Sequence, residues 1–309
     1  MKTILVATDF SEHGQVAGQF AIRIARRLDA RLVCVHATMM SEAEPSAYEV
    51  AHGKLEEFRE HLQREIARKR HWLEMLASQA SSEGVSSQHH LVDGSPADAI
   101  CAAAEEVSAD LVILGSHGYT GFKRFLLGSV AEKVVRMCKS SVLVARTPTI
   151  PDEGFHHVLL ATDFSDSAGA AIDQACGLAA EDAAFDVLHC WQVSGFAEGP
   201  SEPAVGPSVG PVAMYSSLAA TVTEEATKHG QEAVSRIANA QRKATFHLVE
   251  TRPTAGIQTF LEDQEHAYDL VAVGTHGRTG LSRLVLGSVA EVTVRYSPCS
   301  VLVARPPLS

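Results

Sequence analysis

The sequence has no excess of positive charge, no long apolar run and no paired cysteine spacing, and each absence removes a class of protein. Asp and Glu outnumber Lys and Arg by 37 to 26, a formal net charge of -11, so the clustered cations that neutralise nucleic-acid phosphates are missing. The one basic run, "REIARKRHWLEML", alternates with acids and reads as a solvated helix face. No apolar stretch approaches the roughly 20 residues of a membrane span. The six cysteines (34, 101, 138, 176, 190 and 299) include no CxxC pair, which favours reduced, buried thiols in a cytoplasmic protein over disulfides or a zinc site. The opening "MKTILVATDF" runs into an acidic turn without a cleavage pattern, and reads as a first strand rather than a signal peptide. GxxxxGK[ST] and HExxH are also absent, which removes the Walker-type and zincin mechanisms.

What is present is a duplication. At 309 residues the chain has the length of two domains, and "GSHGYTGFKRFLLGS" at Gly115 to Ser129 returns as "GTHGRTGLSRLVLGS" at Gly274 to Ser288. Extended to Arg146 and Arg305, the two segments agree at 20 of 32 positions without a gap. "ILVATDFS" at Ile4 to Ser11 likewise faces "VLLATDFS" at Val158 to Ser165. A period this long means two whole domains, expected over residues 1–147 and 155–309 and joined by "TPTIPDEG".

Each copy alternates short β-rich runs with helical patterns, the form of a parallel sheet flanked by helices. The first copy predicts strands at Thr3 to Ala7, Arg31 to His36, Gln88 to Val92, Asp110 to Gly115 and Ser141 to Ala145. The second predicts them at His157 to Thr162, Phe185 to His189, Thr245 to Val249, Asp269 to Gly274 and Ser300 to Ala304. The spacing of Leu55, Phe58, Leu62, Ile66, Leu73 and Leu76 predicts one long helix whose apolar stripe is core. Gly195 to Pro211, rich in Gly and Pro, reads either as a surface loop or as a cover over a ligand. The fold class is α/β: two tandem doubly wound domains, each a five-stranded parallel sheet in the order 3-2-1-4-5. The last strand of each copy, "SVLVAR", is an apolar edge that needs cover.

The repeated loop leaves the C-terminal end of a strand, where such sheets bind ligands. Its spacing, G-x2-G-x9-G-S, ends at a helix start, so free N–H groups and the helix dipole favour a phosphate there. Ser129 and Ser288 are expected to add a hydroxyl while capping that helix. Asp9 and Asp163, in the neighbouring "ATDFS" turns, either accept from a ribose hydroxyl or hold a metal-bound water, or else cap the following helix. His117 and His276, in "GSHG" and "GTHG", are the best catalytic candidates, with loop packing as their simpler role.

The loop spacing, "ATDFS" and the five-strand pattern resemble the universal stress protein family in its tandem form, and the loop resembles that of the ATP-binding branch. By that resemblance Gly115, Gly118, Gly128, Ser129 and Val130 surround ribose and phosphates in the first copy, and Gly274, Gly277, Gly287, Ser288 and Val289 in the second. Asp9 and Asp163 match the family's acidic residue, with Ala7 and Ala161 beside them, and adenine rests near Ala37 and Cys190. The Gly94 position becomes Thr251 in the second copy. The resemblance implies ATP, ADP or AMP as ligand, with Mg2+ or Mn2+ carried by a triphosphate. It also implies an unidentified protein partner, and edges that pair into an intrachain pseudo-dimer which doubles into a homodimer. Three functions follow: a nucleotide-dependent stress or signalling switch, a scaffold with empty sites, or a slow ATP hydrolase.

Overall fold

The computed structural model describes residues 2–39, 53–116, 127–146, 152–192, 211–262, 267–275 and 286–306. The first copy contributes β1 (Thr3–Ala7), α1 (Glu12–Arg27), β2 (Arg31–Thr38), α2 (Leu55–Ser82), β3 (Ser87–Asp93), α3 (Pro96–Glu106), β4 (Leu111–Gly115), α4 (Ser129–Met137) and β5 (Ser141–Ala145). The second contributes β6 (Phe155–Ala161), α5 (Asp166–Leu178), β7 (Ala179–Trp191), α6 (Pro211–Asn239), β8 (Lys243–Glu250), α7 (Pro253–Glu262), β9 (Leu270–Gly274), α8 (Ser288–Tyr296) and β10 (Ser300–Ala304). The central strands are short and apolar because helices cover both their faces, which leaves no alternation for water to select. β1, β5 and β10 are buried at every position.

All ten strands form one sheet in the order β3-β2-β1-β4-β5-β10-β9-β6-β7-β8. Within each half the order is the expected 3-2-1-4-5 and every pairing is parallel. The halves meet where β5 and β10 pair antiparallel, Leu143 opposite Leu302. The two apolar edges thus cover each other. Buried side chains divide by sheet face rather than by domain. One cluster joins Phe20, Leu73, Ile172 and Ile237 beneath α1, α2, α5 and α6; the other joins Ile100, Val134, Ile257 and Val294 beneath α3, α4, α7 and α8.

Two sequence expectations change. β7 begins at Ala179, six residues before the predicted start, and its pairing with β6 slips between Phe155 and His157. Its added segment, "AAEDAA", is poor in β-branched residues, so its pairing is set by β6 and not by propensity. The apolar stripe of α2 is core only in its second half: Leu73, Ala77 and Ala80 are buried, while Leu55 is exposed and Phe58, Leu62 and Ile66 are half-buried. Gly195 to Gly210 lie outside the described residues.

Candidate functional site

Ten strands in this order bring the C-terminal ends of β1 and β4 side by side in one half, and those of β6 and β9 in the other. After β1 the chain turns through Thr8 to Ser11. Phe10 adopts φ +63°, the left-handed region, and its N–H donates to Thr8 Oγ1 at 3.0 Å. Ser11 donates to Asp9 Oδ1 from its N–H at 3.0 Å and from its hydroxyl at 2.5 Å. Ser11 Oγ in turn accepts from Gly14 N–H at 3.1 Å and so caps α1. The second copy repeats the turn: Phe164 has φ +63° and donates to Thr162 Oγ1 at 3.0 Å, Ser165 N–H donates to Asp163 Oδ1 at 3.1 Å, and Ser165 caps α5 through Ala168 N–H. Asp9 and Asp163 therefore do not cap helices. They fix the serines that do.

Gly115 and Gly274 lie against these helix starts. A Cβ on Gly115 would stand 2.6 Å from the His13 carbonyl oxygen, and one on Gly274 2.8 Å from the Ser167 carbonyl carbon. Both glycines are required for close packing of strand on helix, whatever else they do. The residues that flank these loops are bonded to each other, Gly128 N–H donating to Ser116 O and Gly287 N–H to Thr275 O, each at 2.8 Å. Gly118 and Gly277, with His117 and His276, lie outside the described residues.

The expectation that Ser129 and Ser288 cap their helices is corrected. The N-caps are Gly128 and Gly287, with φ near -65° and no side-chain cap, so Ser129 and Ser288 are the first helical residues and are exposed. Torsion does not require glycine there, since those angles suit any residue. What glycine does is leave the first-turn N–H groups of α4 and α8, including those of Ser129, Val130, Ser288 and Val289, without the side-chain acceptor that a Ser, Thr or Asp cap supplies. Within each half, the helix after β1 or β6 is capped by serine and the helix after β4 or β9 is left open.

At the end of β2, Ala37 is half-buried and pairs with Val92 of β3. His36 beside it is buried, places Nδ1 2.7 Å from Thr8 O, and stacks on Phe10 with ring centroids 4.7 Å apart. Burial is the main force that lowers its pKa from the ordinary 6.5. His189 makes the matching contact to Thr162 O at 2.7 Å and to Phe164 at 4.5 Å. Both histidines are structural supports for the Asp turn. Cys190, at the Ala37 position, is half-buried, and burial raises its thiol to about 11. Its sulfur fills the space left by Gly256, which stands where the first copy has Ala99.

Among the described residues no group of three or more His, Cys, Asp or Glu side chains is placed to hold a metal ion, and no helix is long and apolar enough to cross a membrane. The six cysteines carry free thiols. Beyond the aspartate of "TDFS", the turn also uses Thr8 and Ser11, and Thr162 and Ser165. Their recurrence in both copies was the available signal.

Comparison with known proteins agrees with this architecture. The Universal stress protein family matches the chain twice, over residues 1–146 and 154–305. Universal stress protein MJ0531 from Methanocaldococcus jannaschii is 35% identical over 147 residues, 48% of this chain and 83% of that protein. The crystal structure of a universal stress protein from Archaeoglobus fulgidus superposes with a TM-score of 0.65 at 18% identity, covering 98% of each chain. A protein of unknown function from Pseudomonas aeruginosa, PA1789, gives 0.65 at 17%, covering 99% of this chain and 93% of its own. These last two likenesses concern the fold.

Proposed function

Because the chain belongs to the universal stress protein family and carries the family's unit twice, we propose that it binds adenine nucleotides, one ATP, ADP or AMP per domain, as a cytoplasmic stress-response switch. The observation that carries this reading is the pair of open helix starts, Gly128-Ser129 and Gly287-Ser288. Both lack a side-chain cap and both follow loops at the C-terminal ends of strands that adjoin an Asp turn. Phosphate oxygens take the first-turn N–H groups of Ser129 and Val130, or Ser288 and Val289, with the serine hydroxyls as further donors. Gly115 and Gly274 line the approach, and Gly118 and Gly277 belong to the same loops.

Asp9 spends Oδ1 on Ser11, so Oδ2 is the atom that accepts from a ribose hydroxyl, with Ala7 alongside; Asp163 and Ala161 stand at the matching positions of the second half. Adenine lies against Ala37 and against Cys190. A divalent cation, Mg2+ or Mn2+, enters on the phosphates, and Asp9 or Asp163 orients its water. Nucleotide occupancy then changes shape or assembly, which a protein partner reads. The assembly is a homodimer of the two-domain chain; a monomer by light scattering at working concentration removes that part and leaves the rest.

The test uses Ser129→Asp and Ser288→Asp. An acid in the first turn favours the helix by about 0.3 to 1 kcal/mol, so folding is retained while its carboxylate repels phosphate. Calorimetric titration with Mg-ATP should give two sites in the natural chain, one in either variant and none in the double variant. An unchanged stoichiometry in the double variant would place the nucleotide elsewhere.

A further inference from the structure

At the β5–β10 seam two arginines donate to backbone carbonyls of the opposite half. Arg305 follows β10 of the second half, yet its guanidinium donates to Val135 O at 2.8 Å, Ser140 O at 3.2 Å and Arg136 O at 3.5 Å, around the C-terminus of α4. Arg146 follows β5 of the first half, and donates to Ser297 O at 2.8 Å, Arg295 O at 3.4 Å and Val294 O, around the C-terminus of α8. The backbone is tied the same way, with Arg305 N–H on Ser141 Oγ at 2.9 Å and Arg146 N–H on Ser300 Oγ at 3.2 Å. Between these contacts α4 and α8 exchange ion pairs, Arg295 with Glu132 at 3.0 Å and Arg136 with Glu291 at 3.7 Å.

α4 and α8 are the helices whose N-termini begin at Gly128-Ser129 and Gly287-Ser288. Each has nine residues, a rod of about 13 Å. The last carbonyls of a helix have no partner within it, and here the opposite half supplies one. A cation at that end is favoured by the dipole of the last turn, so the guanidinium anchors the helix and with it the position of its N-terminal N–H groups.

We infer that each phosphate site is positioned by the other domain: Arg305 sets the affinity of the site at Ser129, and Arg146 that of the site at Ser288. Resting on the nucleotide reading above, the inference makes a crossed prediction. A residue carried by one domain controls binding in the other, so the ten-stranded sheet is the binding unit and neither half is complete alone.

The test isolates one site at a time in the full chain. With Ser288→Asp present only the first site remains, and adding Arg305→Met should weaken Mg-ATP there about fivefold or more, within the usual range of coupling between sites. With Ser129→Asp present, Arg305→Met should leave the second site within about twofold, while Arg146→Met weakens it by the larger factor. Arg305→Lys, which keeps the charge and one donor group, should recover part of the loss and decides the matter if the methionine variant does not fold. Equal losses at both sites, or none at either, overturn the inference and leave the nucleotide reading intact. Failure of the natural chain and of both aspartate variants to bind Mg-ATP overturns the reading and the inference together.

Discussion

Backbone atoms of the first helical turn leave no room for a side chain at the end of the fourth strand in either half. Gly115→Ala would force a Cβ to within 2.6 Å of the His13 carbonyl, and Gly274→Ala to within 2.8 Å of Ser167; neither obstacle can rotate away. Each substitution should cost about 1 to 3 kcal/mol of stability, read as a lower urea midpoint at unchanged slope. An unaltered midpoint would mean that the strand and helix separate without cost. Elsewhere the two copies trade volume between partners. Where the first copy has Ala37 and Ala99 the second has Cys190 and Gly256, and the Cys190 sulfur occupies the place of a Cβ on Gly256. Leu73 and His89 of the first become Gly230 and Phe246, whose ring occupies the place of a Cβ on Gly230. Gly256→Ala should therefore destabilise the natural chain, and less so once Cys190→Ala removes the sulfur and leaves only Thr251 Cγ2, 2.9 Å from the new Cβ, to rotate aside, a coupling that a double-mutant cycle in urea measures. Additive effects would refute the exchange. The repeat made the isolated departure at Thr251 legible in the sequence, but it could not reveal these exchanges, because the partners are far apart in the chain and meet only through the sheet.

At the scale of elements, strands buried on both faces were the most legible. β1, β5 and β10 stand where their apolar runs begin and end. The first residues of β7 carry no strand signal of their own, so only its part from Phe185 is legible in the sequence. The stripe of α2 marked a helix correctly without telling which half of it the sheet reaches. Leu73→Ala should cost about 2 to 5 kcal/mol and Leu62→Ala clearly less; equal costs would mean that the outer half of α2 is also packed. His36 gives the Asp turn a pH dependence. Burial lowers its folded-state pKa below the ordinary 6.5, so as pH falls the unfolded chain takes up the proton first. The stability it contributes is present above about pH 6.5 and is lost as pH falls through the folded value. Urea midpoints compared between pH 7 and pH 5 should fall less in His36→Asn, which retains a donor near Thr8 O without titrating. An identical fall would assign the effect to other groups.

As a whole, the molecule is one sheet with two cores that each run through both halves. The apolar "SVLVAR" edges show that cover is needed, and Arg146 and Arg305 recur at their ends, but the sequence does not show what they bind, since their carbonyl partners belong to the opposite half. Shared cores and crossed arginines should make heat unfolding a single calorimetric transition with equal calorimetric and van't Hoff enthalpies. Two resolved transitions would mean that the halves unfold independently. ATP at about 100 times its dissociation constant should stabilise that transition by about 2.7 kcal/mol per site. The most direct measurement is to denature freshly purified protein, identify the released nucleotide by chromatography, and titrate the emptied and refolded chain with Mg-ATP. The account predicts adenine nucleotide bound at two sites per chain; no released nucleotide together with no binding on titration would contradict it, and would leave the repeated glycines to packing alone.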